Sequence, residues 1–239
     1  MKIEGRNAVY EALKSDTTID RLVVQRALKD SASQNIINLA REKGVKINFV
    51  DKDALDRESL TKRHQGFICS VTDFKYADFD EIKSICSSKK KPILILDGIE
   101  DPHNLGSIIR VAECAGCAGI VIGRHRQASI NETVIKVAQG AASHVKVARV
   151  TNINSAIDEL KNDFIAVYAA ELGGKNIYET KFNYPCAIVI GGEGKGVKRL
   201  TKDKCDAVLS IPMRGNLNSL NASVAAGIVV FEILRNFSK

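Results

Sequence analysis

Apolar positions along the chain recur with two alternating periods. From Gly5 to Val71, apolar residues spaced three and four apart predict a helix over Arg6–Lys14 and another over Ser31–Lys43, and a short helix opens at Asp53. Between them lie extended runs at Arg21–Gln25, Lys46–Val50 and Gly66–Val71, which together read as a small α/β domain over residues 1–75. Residues 76–91 lose this periodicity, and their Ser-Ser and triple Lys before Pro92 predict an exposed linker. From residue 92 to 239 nearly continuous apolar runs appear at Ile93–Leu96, Gly119–Ile122, Val145–Ala148, Phe164–Ala170, Ala187–Ile190 and Ala207–Ile211. Helical patterns at Leu105–Ala115, Asn131–Gln139, Ile153–Leu160 and Ser219–Arg235 alternate with them. Such alternation predicts a parallel sheet covered on both faces.

Composition narrows the class of protein. With 45% hydrophobic and 26% charged residues the chain has the means to fold, and no apolar run is long enough to span a bilayer. Charges in MKIEGRNAVYEAL interrupt any signal-peptide core, so a cytoplasmic location with no membrane partner is expected. The net charge of +7 favours a polyanionic partner. Six cysteines, most of them in apolar or small-residue stretches, are expected to be free thiols.

Three segments carry candidate chemistry. In LDGIEDPHNLGSIIRVAECAG a strand end runs through a polar loop into a helix that Asn104 caps or precedes, with Arg110 inside its first turns. An N-capped helix with a solvated arginine is the plainer reading. In AIVIGGEGKGV a buried strand ends in a glycine-rich turn bearing Glu193 and Lys195. Gly196 after Lys195 rules against a Walker loop, and Val197 against a dinucleotide fingerprint. A tight turn, or a loop that brings backbone close to a ligand, remains. In LSIPMRGNLNSLNASVAAGIVVFEILR a strand ends at Ile211-Pro212, and Ser219, Asn221 and Ser223 occupy the first turns of a helix rich in small residues.

Together, DPHNLGSIIR, IGGEGKG and IPMRGNLNSLNASVA resemble the three signature motifs of the SpoU branch of the SPOUT methyltransferases. IEGRNAVYEAL through HQGFICSV is similar to the L30-like substrate-binding domain that precedes the catalytic domain in rRNA-directed members. The resemblance implies a parallel-sheet α/β catalytic domain with a C-terminal trefoil knot, a homodimer, and S-adenosylmethionine as cofactor. It places the cofactor on backbone at Gly191, Ile211 and Leu220, with Gly192, Gly194 and Gly196 shaping the turn. Arg110 then acts on an RNA ribose 2′-hydroxyl, as base or as clamp for a phosphate or alkoxide; Asn104, Ser219 and Asn221 hold the nucleotide and loops, and Glu193 orients Arg110 or the ribose. A guanidinium pKa above about 12 makes a literal base role awkward. The two-domain layout resembles members that methylate a guanosine of 23S rRNA more than tRNA-modifying members; a tRNA or another rRNA site, or a non-catalytic RNA-binding protein, are the alternatives.

Other residues read as structural. Cys114 and Cys117 form a C-x-x-C without a second pair for a metal, so both are expected in the core and no metal is expected. His103 fits RNA contact or loop structure equally, and His64, His125 and His144 have no evident partners. Arg124, His125 and Arg126, like Lys195–Lys204, form basic stretches suited to phosphate. With no Trp and 5% aromatic residues, base stacking on an aromatic platform is not expected.

Overall fold

A computed structural model describes residues 2–15, 17–26, 28–72 and 74–237. It forms two compact units, residues 2–75 with 129–132 and residues 76–128 with 133–237.

The first unit runs β1 (Lys2–Glu4), α1 (Arg6–Lys14), β2 (Thr18–Gln25), α2 (Ser31–Glu42), β3 (Lys46–Val50), α3 (Lys52–Glu58) and β4 (Phe67–Thr72). Its sheet order is β1-β4-β2-β3, antiparallel except for the parallel β2/β3 pair. Helix α1 buries Val9, Ala12 and Leu13, spaced to make one stripe, and α2 adds Ile36, Ile37 and Ala40. Alternation along β2 sends Leu22 and Val24 into this core and Val23 to the opposite face, against Leu55 of α3 and Ile68. Asp30 starts α2 by accepting the Ser33 N–H at 3.0 Å. His64 is buried and fully engaged: Nε2 pairs with Asp56 Oδ1 at 2.8 Å, and Nδ1 accepts the Gly66 N–H at 2.9 Å.

The second unit runs α4 (Phe79–Lys89), β5 (Ile93–Asp97), α5 (Pro102–Cys114), β6 (Gly119–Gly123), α6 (Glu132–Ala138), β7 (Val147–Val150), α7 (Ile153–Asn162), β8 (Ala166–Asn176), β9 (Cys186–Gly191), α8 (Arg199–Lys204), β10 (Ala207–Ser210) and α9 (Ala222–Phe237). Its six strands are parallel in the order β10-β8-β9-β5-β6-β7. Every residue of β5 and β6 is buried, which accounts for their unbroken apolar runs. On one face Ile93, Ile95, Val121, Val167 and Val189 meet Ile82 and Cys86 of α4 and Ile153, Ile157 and Leu160 of α7. Helices α5 and α9 pack against each other and onto β6 and β9.

Several expectations are corrected. Residues 76–91 are not an exposed linker, because α4 lies within them and buries Ile82 and Cys86 completely. Ser87, Ser88 and Lys89, which suggest a linker, are its exposed last turn, and Lys90 is its C-cap. Helix α5 begins at Pro102 rather than around Leu105: Asp101 is the cap, accepting the His103 N–H at 2.9 Å, and Pro102 fits the first helical position, where no N–H is needed. Asn104 is therefore inside the helix. Helix α9 starts at Ala222, so Ser219 and Asn221 precede it instead of occupying its first turns. Cys114 is exposed at the end of α5 and is no core residue.

Candidate functional site

The site forms at the carboxyl edge of the parallel sheet, where β5 and β9 end side by side with Asp97 opposite Gly191. Chain reversals beyond such strand ends leave a crevice free of side-chain packing. The turn after β9 folds back on itself, the Gly196 N–H donating to Gly192 O at 3.0 Å, and the Gly192 N–H donates to Asp97 O at 3.0 Å. Only glycine fits at its first two positions. A Cβ on Gly191 would lie 2.1 Å from the Gly196 carbonyl carbon, and one on Gly192 would lie 2.0 Å from Gly98 O.

Three segments far apart in sequence meet there through side-chain amides. Asn104, 5% exposed, donates through Nδ2 to Glu193 Oε1 and accepts at Oδ1 from Asn221 Nδ2 at 2.8 Å. Asn221 Nδ2 also lies 3.4 Å from Glu193 Oε1, while its Oδ1 caps α9 by accepting the Ser223 N–H at 2.9 Å. Glu193 Oε2 has no partner among the described residues and remains available to a ligand.

Two hollows flank the glycine turn. The larger, about 490 Å3, is lined by Gly191, Gly192, Gly194, Gly196, Ile211 and Leu220 together with Glu193, Ser219 and Asn221. All six positions expected to hold a cofactor thus border one cavity. Its size falls within the range of about 300–1,000 Å3 usual for small-molecule sites. The smaller, about 380 Å3, lies against Asn104, Glu193 and the β5–α5 loop.

Arg110 stands apart. It is exposed on α5, lines neither hollow and makes no hydrogen bond or ion pair among the described residues. Six residues beyond Asn104, it lies about 240° round the helix. No hydrogen bond or ion pair joins Glu193 to Arg110 among the described residues; the Glu193 contacts are those of its Oε1 with Asn104 and Asn221.

Two acidic residues went unnoticed in the sequence. Asp97, with a side chain 1% exposed, takes the Lys198 N–H at 3.1 Å on Oδ2 and pairs with Lys198 Nζ through Oδ1, tying the end of the glycine turn to β5. Glu171 lines the larger cavity and accepts the Val197 N–H at 2.7 Å on Oε2. Each is a carboxylate following directly on an apolar strand run, and that juxtaposition was the available signal.

Burial pushes the thiols of Cys86, Cys117 and Cys205 up to about 12 and that of Cys69 to about 11, so none of these supplies a thiolate near neutral pH. No group of three or more His, Cys, Asp or Glu is placed to hold a metal among the described residues. Among these residues, too, no helix is long and apolar enough to cross a membrane.

Comparison with known proteins bears on both units. The sequence pattern of the SpoU rRNA Methylase family matches residues 91–231, and that described as RNA 2′-O ribose methyltransferase substrate binding matches residues 2–77. A Bacillus subtilis protein named as a TrmH family tRNA/rRNA methyltransferase is 41% identical over 234 residues, covering 97% of this chain and 94% of its own. A Staphylococcus haemolyticus protein named likewise is 42% identical over 238 residues, covering 98% and 94%. In three dimensions the chain is similar to the SpoU methyltransferase AviRb from Streptomyces viridochromogenes, crystallised with AdoMet. The TM-score is 0.62 at 20% identity, covering 100% of this chain and 90% of that one. The A. aeolicus TrmH/SpoU tRNA modifying enzyme aligns with 67% of this chain and 82% of its own, with a TM-score of 0.57 at 26% identity.

Proposed function

The chain belongs to the SpoU rRNA Methylase family, and from that premise we propose that it is an S-adenosylmethionine-dependent RNA methyltransferase acting on a ribose 2′-hydroxyl, its target a guanosine of 23S rRNA. The observation that carries this reading is the junction of Asn104, Glu193 and Asn221 on the wall between two hollows that share one glycine turn. In-line group transfer needs donor and acceptor atoms within about 3–3.5 Å of each other, and two hollows that meet at one turn can bring them together. A protein that only binds RNA has no use for the second hollow.

The residues present fit the cofactor. The larger cavity is walled by turn backbone that no Cβ could enter, and by apolar Ile190, Leu209 and Ala222, so a bent nucleoside can rest against amides and carbonyls at Gly191, Ile211 and Leu220. When bound, S-adenosylmethionine supplies a methyl group already activated on sulfonium. What remains for the chain is to align the ribose oxygen and to accommodate the charge left as its proton departs.

Glu193 is suited to the first task. Its Oε1 is fixed by two amides, leaving Oε2 to accept a hydrogen bond from the ribose. Ser219, at the rim of the cofactor cavity, adds a hydroxyl to the same wall. Arg110 is suited to the second, as a cation for a phosphate or developing alkoxide. Because it points away from its own chain's cavities, it serves the cavity of a second copy in a homodimer. Exposed apolar residues at Val224 and Phe231, seven apart on α9 beside α5, provide a surface for that contact. The family's trefoil knot belongs to the same reading, as does a cytoplasmic location.

Calorimetry with S-adenosylmethionine and mass spectrometric mapping of modified rRNA and tRNA test the assignment. The expected outcome is cofactor binding and a methyl group on the ribose of a 23S rRNA guanosine. Methylation in tRNA would transfer the reading to the alternative named by the relatives, and methylation of a base would overturn it. For the homodimer, mixing an Arg110→Ala chain with a Glu193→Ala chain should restore up to one functional site per mixed dimer; no recovery would refute the shared site.

A further inference from the structure

We propose that the smaller hollow, about 380 Å3, seats the acceptor nucleotide, with Arg126 and Lys195 holding a backbone phosphate beside it. This rests on the reading of the chain as an RNA methyltransferase and identifies where its acceptor binds.

The hollow shares Gly192, Glu193, Lys195 and Gly196 with the cofactor cavity, so the two adjoin along the glycine turn. Its far wall is Asn104, and its floor holds the Asp97–Lys198 pair, where positive and negative charge compensate each other. Asp101 on the rim is engaged as the cap of α5. Arg126 and Lys195 are different: both are exposed, both border the hollow, and neither makes a hydrogen bond or ion pair among the described residues. Arg126 moreover adopts a left-handed backbone (φ 54°), a conformation that side chains other than glycine rarely adopt and that clusters at ligand sites.

Of the basic stretch Arg124–Arg126, only Arg126 faces this hollow. Arg124 is half-buried, its carbonyl accepting from Arg149, and His125 borders a separate cavity. Glu100 on the rim would repel a bare phosphate, but it accepts N–H or O–H donors. With its two cations beside the carboxylates of Glu100, Asp101 and Glu193, the hollow matches a nucleotide, which carries phosphate at one end and donors at the other, better than a simple anion.

The test uses full-length protein carrying Arg126→Ala or Lys195→Ala, with Lys89→Ala as control. Lys89 is exposed in the last turn of α4, ahead of β5, and lies outside all three cavities. RNA affinity is measured across a salt series, methyl transfer against RNA concentration, and S-adenosylmethionine binding by calorimetry. Each of the first two variants should weaken RNA binding about tenfold and lower the magnitude of the log–log salt slope by about 1, as expected for one lost phosphate contact. The loss in kcat/KM should lie in KM, with cofactor affinity kept in Arg126→Ala, whose side chain lies outside the cofactor cavity. Arg126 and Lys195 variants that behave like Lys89→Ala overturn the proposal, as does wild-type protein that binds a protein partner and no RNA. Wild-type protein that binds RNA but no S-adenosylmethionine overturns the enzymatic reading instead, and the salt slopes still decide whether nucleic acid enters this hollow.

Discussion

Asn221 donates through Nδ2 to Asn104 Oδ1 at 2.8 Å, although 117 residues separate the two. Asn221 caps α9 and Asn104 lies in the first turn of α5, so a single amide contact fixes the openings of two helices against the carboxylate of Glu193. Asn104→Ala removes the amide that joins Glu193 to Asn221, and because both of those residues are exposed, water can take its place. The expected cost is about 0.5–1.5 kcal/mol of stability, read by denaturant unfolding. Misplacement of the site should also slow single-turnover methyl transfer about 100-fold. Transfer at the wild-type rate would show that the amide network is not needed for alignment.

The glycine turn offers a graded comparison. Gly192→Ala puts a Cβ 2.0 Å from Gly98 O, where only backbone can yield, whereas at Gly194 nothing lies within 4 Å and the obstacle is a φ of 74°. Calorimetry should find cofactor binding lost in the first variant and retained in the second. The second should lose about 1–2 kcal/mol in stability from its backbone conformation. Equal cofactor affinity in both would contradict the close approach of β9 to the β5–α5 loop.

Asp97 and Lys198 form an asymmetric pair, with side chains 1% and 56% exposed. Asp97→Ala removes the acceptor of both the Lys198 N–H and its ammonium and should destabilise by about 1.5–3 kcal/mol. Solvent screens the lysine, so a double-mutant cycle with Lys198→Ala should return a coupling of only about 1 kcal/mol or less. A much larger coupling would mean that Lys198 is more enclosed than its exposure indicates.

Acid stability of the first unit should depend on Glu4. Partial burial pushes its carboxyl upward, but hydrogen bonds from Thr61, Leu60 and Ser59 outweigh this and hold it at about 2, below its ordinary 4.5. A depressed carboxylate contributes stability that is fully present above pH 4.5 and lost as pH falls through about 2. Glu4→Gln should lower stability at pH 7 and flatten the fall between about pH 5 and 2, measured by urea unfolding at a series of pH values. An unchanged acid limb would remove Glu4 from the account.

The sequence by itself determined the alternation of strands and helices, because period and burial are local consequences of which residues are apolar. The all-buried run Ile93–Leu96 and the stripe Val9, Ala12 and Leu13 were legible for that reason. It also singled out Asn104, Glu193 and Asn221, as members of motifs. Only the tertiary structure decided that α4 is core rather than linker: its two buried residues, Ile82 and Cys86, are too few to stand out as a stripe, and only their partners on β5 and α7 show what they do. It alone decided, too, that Glu193 faces Asn104 and Asn221 while Arg110 points outward. Spacing along one helix sets the angle between Asn104 and Arg110, but the position of Glu193 depends on β9 settling beside β5, a parallel pairing that no local pattern encodes.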